Sequence, residues 1–478
     1  MNTLTIVWLA LPFFVGFLSY LLPQGHAFSA LLITLSSLSY GLWQVFSASP
    51  LSLELLDHFG ISLMVDSSSG FFILTNALVT ATVIFYCWQT GKTAFFYTQI
   101  MILHGSINAI FITADLISVY VGLEVVSIAG FLLMTYPLTD RSIWVGLRYL
   151  FISNTAMLFY LIGSVLVYQS NHSFAFTGLE GAPPEAIALI FFGLFTKGGI
   201  FISGLWLPLT HSEAETPVSA LLSGIVIKAG IFPLIRCALL VEDLGFILSI
   251  FGLASALLGV IYAIFEKDTK RTLALSTISQ LGFVISSPIQ AGFYALTHGL
   301  AKSTLFLVAG NLPSRDFSTL RQTPISQALW IPLTLGSLST MGFPLLAGFG
   351  SKALVLKGLT SWQEIGLTVS SIGTTIALSK FVFLPHQSDV TVEGSRVGLW
   401  CALGIPLLGL AAANSFHLEV YTLTNIGKAL TTVLVGLAVY GMGLSWIPIK
   451  LPSMMETFEY LIGLMTVMIT ILFWMVAS

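Results

Sequence analysis

Apolar runs of about 20 residues, each long enough to cross a bilayer as a helix, recur along nearly the whole chain with short polar loops between them. They fall near residues 3–22, 27–46, 69–88, 95–113, 116–136, 146–168, 185–208, 217–241, 244–265, 272–289, 291–311, 327–356, 362–385, 397–414, 427–447 and 457–476. The pattern predicts an all-α polytopic membrane protein of about 14–16 transmembrane helices, forming one membrane domain over residues 1–478. Taking alternate loops, one side collects Lys92, Arg141, Lys267, Lys270, Arg271, Arg315, Arg321, Arg396 and Lys450, and the other only Arg236, Lys357 and Lys428. The positive-inside rule makes the first side cytoplasmic or its equivalent and puts the N-terminus opposite. The loop from Ser47 to Ser69 carries Glu54, Asp57, His58 and Asp66 without a basic residue, so it belongs outside, with room for some ordered structure. No Lys or Arg precedes the first run, which therefore reads as a retained span rather than a signal peptide.

Composition agrees: only 8% of residues are charged and the mean hydropathy is +0.94, against about 25% charged in a soluble domain. The net charge of −3 points to no nucleic-acid partner. Cys87, Cys237 and Cys401 are far apart and lack metal-ligand spacing, so no metal, haem or iron–sulfur cofactor is expected.

Two runs are interrupted. The seventh breaks at Trp206-Leu-Pro208, just after Lys197, and the twelfth at Gly342–Gly350, just before Lys352. Interruptions at corresponding places are the sequence sign of a transporter built from two repeats, with an ion site near each break. Repeat one covers about 95–241 and repeat two about 244–385, with extra C-terminal helices over about 397–476. Each holds five helices, so the two are inverted relative to one another.

Charges inside apolar spans are costly and mark function by default. Glu124 lies eight or more residues from either end of its span. It is either paired, with Lys197 as the candidate partner, or protonated on a backbone carbonyl. A lysine that loses such a partner releases its proton more readily, so the pair can act as a switch. Lys228 follows on the next helix, with snorkelling to the interface as its alternative. His298 and Lys302, four apart, share a helix face, and histidine titrates near neutral pH. Lys352 extends the series, while Lys380, near Pro385, suits a snorkelling role equally well. Glu124, Lys197, Lys228, His298, Lys302 and Lys352 together outline a proton relay at midplane depth. Glu213, Glu215 and the Glu266–Arg271 run read as interfacial charges.

These residues resemble the antiporter-like subunits shared by respiratory complex I, membrane-bound hydrogenases and Mrp-type Na+/H+ antiporters. The likeness rests on Asp66-SSSGFF, Glu124, Arg148-Tyr149, Lys197 with Trp206-Leu-Pro208, and Thr216-PVSAL with Lys228-Ala-Gly230. It continues through Asp268–Gly282, His298-x-x-x-Lys302 and Gly348-Phe-Gly-Ser-Lys352. Ile202 and Gly204 stand where the family commonly has Pro-x-His, which implies a gentler break and a missing half-channel histidine. Fourteen helices are usual in the family, and the long lateral helix of one complex I subunit has no room here. The resemblance implies a proton-translocating subunit of a multisubunit monovalent cation (Na+)/proton antiporter, of D type in an Mrp-like complex. Its alternative is a proton-pumping membrane subunit of a complex I-like NAD(P)H- or ferredoxin-quinone oxidoreductase, and a non-conducting scaffold is a third reading. The implied partners are other membrane subunits, protons, Na+ and the lipid bilayer, in an energy-conserving membrane.

Overall fold

The computed structural model describes residues 2–47, 49–55, 60–241, 244–392, 397–443 and 457–477. Asp57, His58, Arg396 and Lys450, used above to assign loops to sides, lie outside the described residues. The chain opens with α1 (Asn2–Leu21) and α2 (His26–Val45), then an antiparallel hairpin of β1 (Leu51–Glu54) and β2 (Ser62–Val65) in the acidic loop. Next come α3 (Ser67–Cys87), α4 (Ala94–Ile112), α5 (Leu116–Met134), α6 (Asp140–Asn171), α7 (Pro184–Gly198) and α8 (Leu207–Glu213). One long helix follows, formed by α9 (Thr216–Leu221), a π turn (Leu222–Val226) and α10 (Ile227–Leu240). The second half contains α11 (Leu244–Phe265), α12 (Thr269–Ser286), α13 (Ala291–Ala309), α14 (Phe317–Leu320), α15 (Gln327–Met341), α16 (Ala347–Lys357) and α17 (Ser361–Val382). Two-residue strands β3 (Ile325–Ser326) and β4 (His386–Gln387) pair in parallel beside α15. The chain ends with α18 (Val397–Ala413), α19 (Leu423–Gly441) and α20 (Phe458–Ala477).

Each apolar run of the sequence has a helical counterpart. Among the described residues twelve helices are long and apolar enough to cross a bilayer, or thirteen if α12 and α13, bent by 111°, count as one. The others fall short for visible reasons. Helices α12 and α13 carry many Ser, Thr, Gln, His and Lys residues, α15 and α16 are halves of a broken helix, and α18 has 17 residues.

Helix starts follow from short polar side chains that accept from otherwise unbonded N–H groups. Asp66 caps α3 through Ser69 N at 2.8 Å, Asp115 caps α5 through Ser118 N at 2.7 Å, and Asp268 caps α12 through Arg271 N at 2.9 Å. Charged loops tie the ends of the bundle. At the end with the basic loops, Lys92 pairs with Glu215 at 2.7 Å, Arg141 with Glu213 at 3.3 Å and Arg315 with Asp268 at 2.7 Å. At the other end, Arg236 holds Asp66 through two hydrogen bonds of 2.5 and 2.9 Å and also donates to Ser69.

The span Thr216–Leu240 is buried from Pro217 to Cys237, and every residue of α13 is buried. These two helices form the centre of the bundle. The outer helices α1, α19 and α20 are mostly exposed apolar surface, the face that a polytopic protein offers to lipid. Polar groups on the central helices are thereby kept away from the hydrocarbon.

Candidate functional site

The first break begins one residue later than Lys197 and earlier than the Trp206–Pro208 position expected from the sequence. Helix α7 ends at Gly198, Gly199 adopts the left-handed conformation (φ 66°), and a 3₁₀ stretch at Phe201–Trp206 leads into α8. Gly199 supplies the stop because a left-handed residue lets the last turn close on itself. Pro208 instead sits in the first turn of α8, where its missing N–H costs nothing. Trp206 Nε1 donates to the Thr196 carbonyl at 2.9 Å, joining the Gly199 N–H, which donates to the same oxygen at 3.3 Å.

Lys197 is buried in the last turn of α7. Its ammonium donates to two hydroxyls, Ser127 of α5 and Ser153 of α6, which lie 3.0 Å apart. Its Nζ is also 5.7 Å from the centre of the Tyr149 ring. The expected direct Glu124–Lys197 ion pair is not formed. Glu124 is half-buried one helical turn before Ser127, and among the described residues its Oε1 has no hydrogen-bond partner. The two charges act on each other at longer range. The helix bearing Lys228 comes very close here: a Cβ on Gly230 would lie 2.5 Å from Gly198 N and 2.8 Å from Lys197 C.

Lys228 is wholly buried and does not snorkel. It turns back along its own helix and donates to the carbonyls of Gly224 and, at 3.3 Å, Ser223. The π turn makes this possible, because its wider backbone frees carbonyls from the regular ladder. Gly299 of α13 packs on the same spot, where an added Cβ would lie 3.5 Å from Lys228 Nζ and 2.8 Å from Gly224 O.

His298, next to Gly299, is buried, and among the described residues neither ring nitrogen has a hydrogen-bond partner. Lys302, on the same face, donates to Leu273 O at 3.0 Å and to the Ser276 hydroxyl, both on α12. A polar cavity of about 10 Å³ is lined by His298, Lys352, Gln280, Tyr294 and Ser351. That is near the lower limit for one water molecule.

Lys352 lies on α16, the second half of the other broken helix. Residues 342–346 make this break, Gly342 being left-handed (φ 87°), and Lys352 Nζ donates across it to Met341 O at 3.2 Å. The two break lysines therefore differ: Lys197 precedes its break and bonds to neighbouring helices, whereas Lys352 follows its break and bonds back to the first half.

Lys380 neither snorkels nor joins this band. It donates to the carbonyls of Ala263 (2.8 Å), Ile264 (3.3 Å) and Glu266 (2.8 Å), closing the C-terminal end of α11. The interfacial reading holds for Glu213, Glu215, Glu266 and Arg271 through their ion pairs. Lys270 belongs to the same cluster but is covered by it: it is 6% exposed and donates to Ala214 O, between Glu213 and Glu215, at 3.1 Å.

Sequence reasoning missed His211. It is fully buried on α8, three residues after Pro208, with its ring 5.8 Å from Phe306 and 6.3 Å from Trp206. The signal was a titratable residue inside the apolar stretch that follows the break.

Residues 113–377 match the family described as "NADH:quinone oxidoreductase/Mrp antiporter, TM". The chain is 27% identical over 469 residues to the D subunit of the Na(+)/H(+) antiporter of Alkalihalophilus pseudofirmus, covering 88% of this chain and 95% of that one. It is 26% identical over 391 residues to NAD(P)H-quinone oxidoreductase chain 4 2 of Trichodesmium erythraeum, covering 74% and 69% respectively. The fold is shared with a chain of the membrane-bound sulfane sulfur reductase, an archaeal respiratory membrane complex, at a TM-score of 0.77 and 19% identity over 92% of this chain and 99% of that one. The chain is thus an integral, multi-pass membrane protein, and it belongs to the NADH:quinone oxidoreductase/Mrp antiporter transmembrane family.

Proposed function

We propose that this chain is a proton-translocating subunit of a multisubunit monovalent cation (Na+)/proton antiporter. The observation that carries the reading is a set of ionisable side chains on five helices, the half-buried Glu124 and the buried Lys197, Lys228, His298 with Lys302, and Lys352. The hydroxyls of Ser127 and Ser153 hold the Lys197 ammonium, and His298 and Lys352 both line one small cavity. A proton moving along this set changes partners at each step, from carboxylate through hydroxyl to amine and imidazole. Its N-terminus lies on the side opposite the basic loops, and its two halves act as inverted repeats with one break each.

Two relatives suggest different assemblies. The antiporter D subunit aligns over 95% of its own length, and quinone oxidoreductase chain 4 relatives align over up to 94% of theirs, so both assemblies are represented among near-full-length relatives. The second reading, a proton-pumping membrane subunit of a complex I-like oxidoreductase, rests on those chain 4 relatives. Isolation of the native complex tests the choice. Co-purifying iron–sulfur or flavin subunits would establish the redox assembly, and small membrane subunits without them the antiporter.

A further inference from the structure

A cavity of about 930 Å³ lies between α16, α17 and α19. Lys352 and Gly342 are at its inner end, and Lys357, Ser361, Asn425 and Lys428 are near the helix ends that face the opposite way from the basic loops. Five residues of α16 separate Lys352 from Lys357, a depth of roughly 7.5 Å. Among the described residues that line the cavity, three are lysines, Lys352, Lys357 and Lys428, and one is a carboxylate, Glu364. Glu364 is already engaged by Lys428 at 2.8 Å. Hydroxyls of Thr368, Ser371 and Thr432 add neutral oxygens but no second acidic group.

This charge balance decides what the cavity can admit. A metal cation entering it meets Lys357 and the Lys428–Glu364 pair first and Lys352 last, with no free carboxylate to replace its hydration. Even when Lys352 has given up its proton, the lining keeps two ammonium groups against one carboxylate; Glu419, close enough to act on Lys357, lies outside the lining and is held by His417 at 2.8 Å. A cavity with largely apolar walls focuses that excess positive field. Protons are exempt, because they travel through water and hydroxyls by exchange of hydrogen bonds and need no cation-sized coordination site.

We infer that this cavity is a charge-selective passage to Lys352 that admits water and protons and repels monovalent metal cations, with Lys357 and Lys428 as its selectivity residues. The inference rests on the relay reading for the role of Lys352. If the assembly exchanges Na+, that ion crosses elsewhere.

The test uses the assembled complex in sealed vesicles of both orientations, with Cys401→Ser removing the exposed native thiol and Thr368→Cys placing a thiol in the cavity wall. Two membrane-impermeant methanethiosulfonates of similar size are compared, one bearing a sulfonate and the other a trimethylammonium. Rates are normalised to a small free thiol. The sulfonate is expected to react severalfold faster, from one side of the membrane only. Lys357→Glu with Lys428→Glu should invert that order, and the milder Lys357→Gln and Lys428→Gln should each reduce the ratio while leaving assembly intact. Equal rates, faster labelling by the cation, no labelling from either side, or a ratio unchanged in the Gln variants would each overturn the inference. Proton transport by Lys352→Ala separates the two readings: full transport with the sulfonate still preferred would refute the relay and leave the selectivity standing.

Discussion

The Lys352 ammonium on α16 donates to the Met341 carbonyl that ends α15, so one charged side chain spans the gap in a broken helix. A carbonyl at a helix end carries partial negative charge, and an ammonium there is favourably placed. Removing the charge should both interrupt proton transfer and loosen the break. Lys352→Met is expected to bring proton uptake, followed with a pH-sensitive dye in vesicles, to background. It should also lower thermal stability by about 1–3 kcal/mol, the worth of a hydrogen bond to a charged group. Loss of stability with normal uptake would leave Lys352 a merely structural residue.

Glu124→Ala or Lys197→Ala should abolish ion-coupled proton movement while the complex still assembles. The serines that hold Lys197 should matter in proportion. Ser127→Ala with Ser153→Ala strips both hydroxyl acceptors from Lys197 and is expected to slow transport about tenfold, equivalent to about 1.4 kcal/mol. Transport at the parental rate in the double serine variant would mean that protons do not pass between Glu124 and Lys197 by way of these hydroxyls.

Close helix contact at Lys197 makes a steric prediction. Gly230→Ala would drive its new methyl into the backbone of Gly198 and Lys197, whereas a methyl at Gly350 would meet its nearest neighbour at 3.7 Å. Gly230→Ala should therefore reduce transport severely and Gly350→Ala should not. Comparable activity in the two variants would count against so close an approach of α10 to α7.

Lys380 offers the contrast of a buried lysine with a structural task. Lys380→Met leaves the carbonyls at the end of α11 without their donor and should destabilise the complex by about 1–3 kcal/mol. Transport per assembled complex should persist. Its loss would add Lys380 to the relay.

Acid should weaken the Asp66–Arg236 tie. Burial tends to raise the Asp66 carboxyl, but hydrogen bonding and charge from Arg236 outweigh it and hold the group below its ordinary value. A carboxyl lowered in the folded state stabilises the fold above its unfolded pKa, about 3.9, and loses that contribution as pH falls through the folded pKa. Hydrogen exchange at the start of α3 should accordingly rise below about pH 4. Asp66→Asn should exchange faster at neutral pH and lack that acid dependence.

Much of this architecture was legible in the chain because lipid-facing helices must be apolar over a fixed length and buried charges stand out against that background. Partners were harder to read. Glu124 and Lys197 attract each other, yet two serines with no special sequence signature take the ammonium. The break at Gly199 was displaced toward Trp206 because proline is the louder signal, although a left-handed glycine does the stopping. Lys270 is covered by the loop that carries Glu213 and Glu215, a contact that sequence spacing does not record. His211 lay within a motif noted for its tryptophan and proline.

The π turn at Leu222–Val226 holds one residue more than an α turn would, so the two parts of the central helix are out of phase by roughly 100°. A helical wheel drawn through Thr216–Leu240 as a single helix would send one end to the wrong neighbours. With the slip, the α9 end faces the buried Lys270 through Ser219, and the α10 end presents Arg236 to α3. Lys228 sits just past that boundary with its ammonium on the carbonyls of the turn itself, so the same feature that re-aims the helix also gives its charge a place inside the membrane.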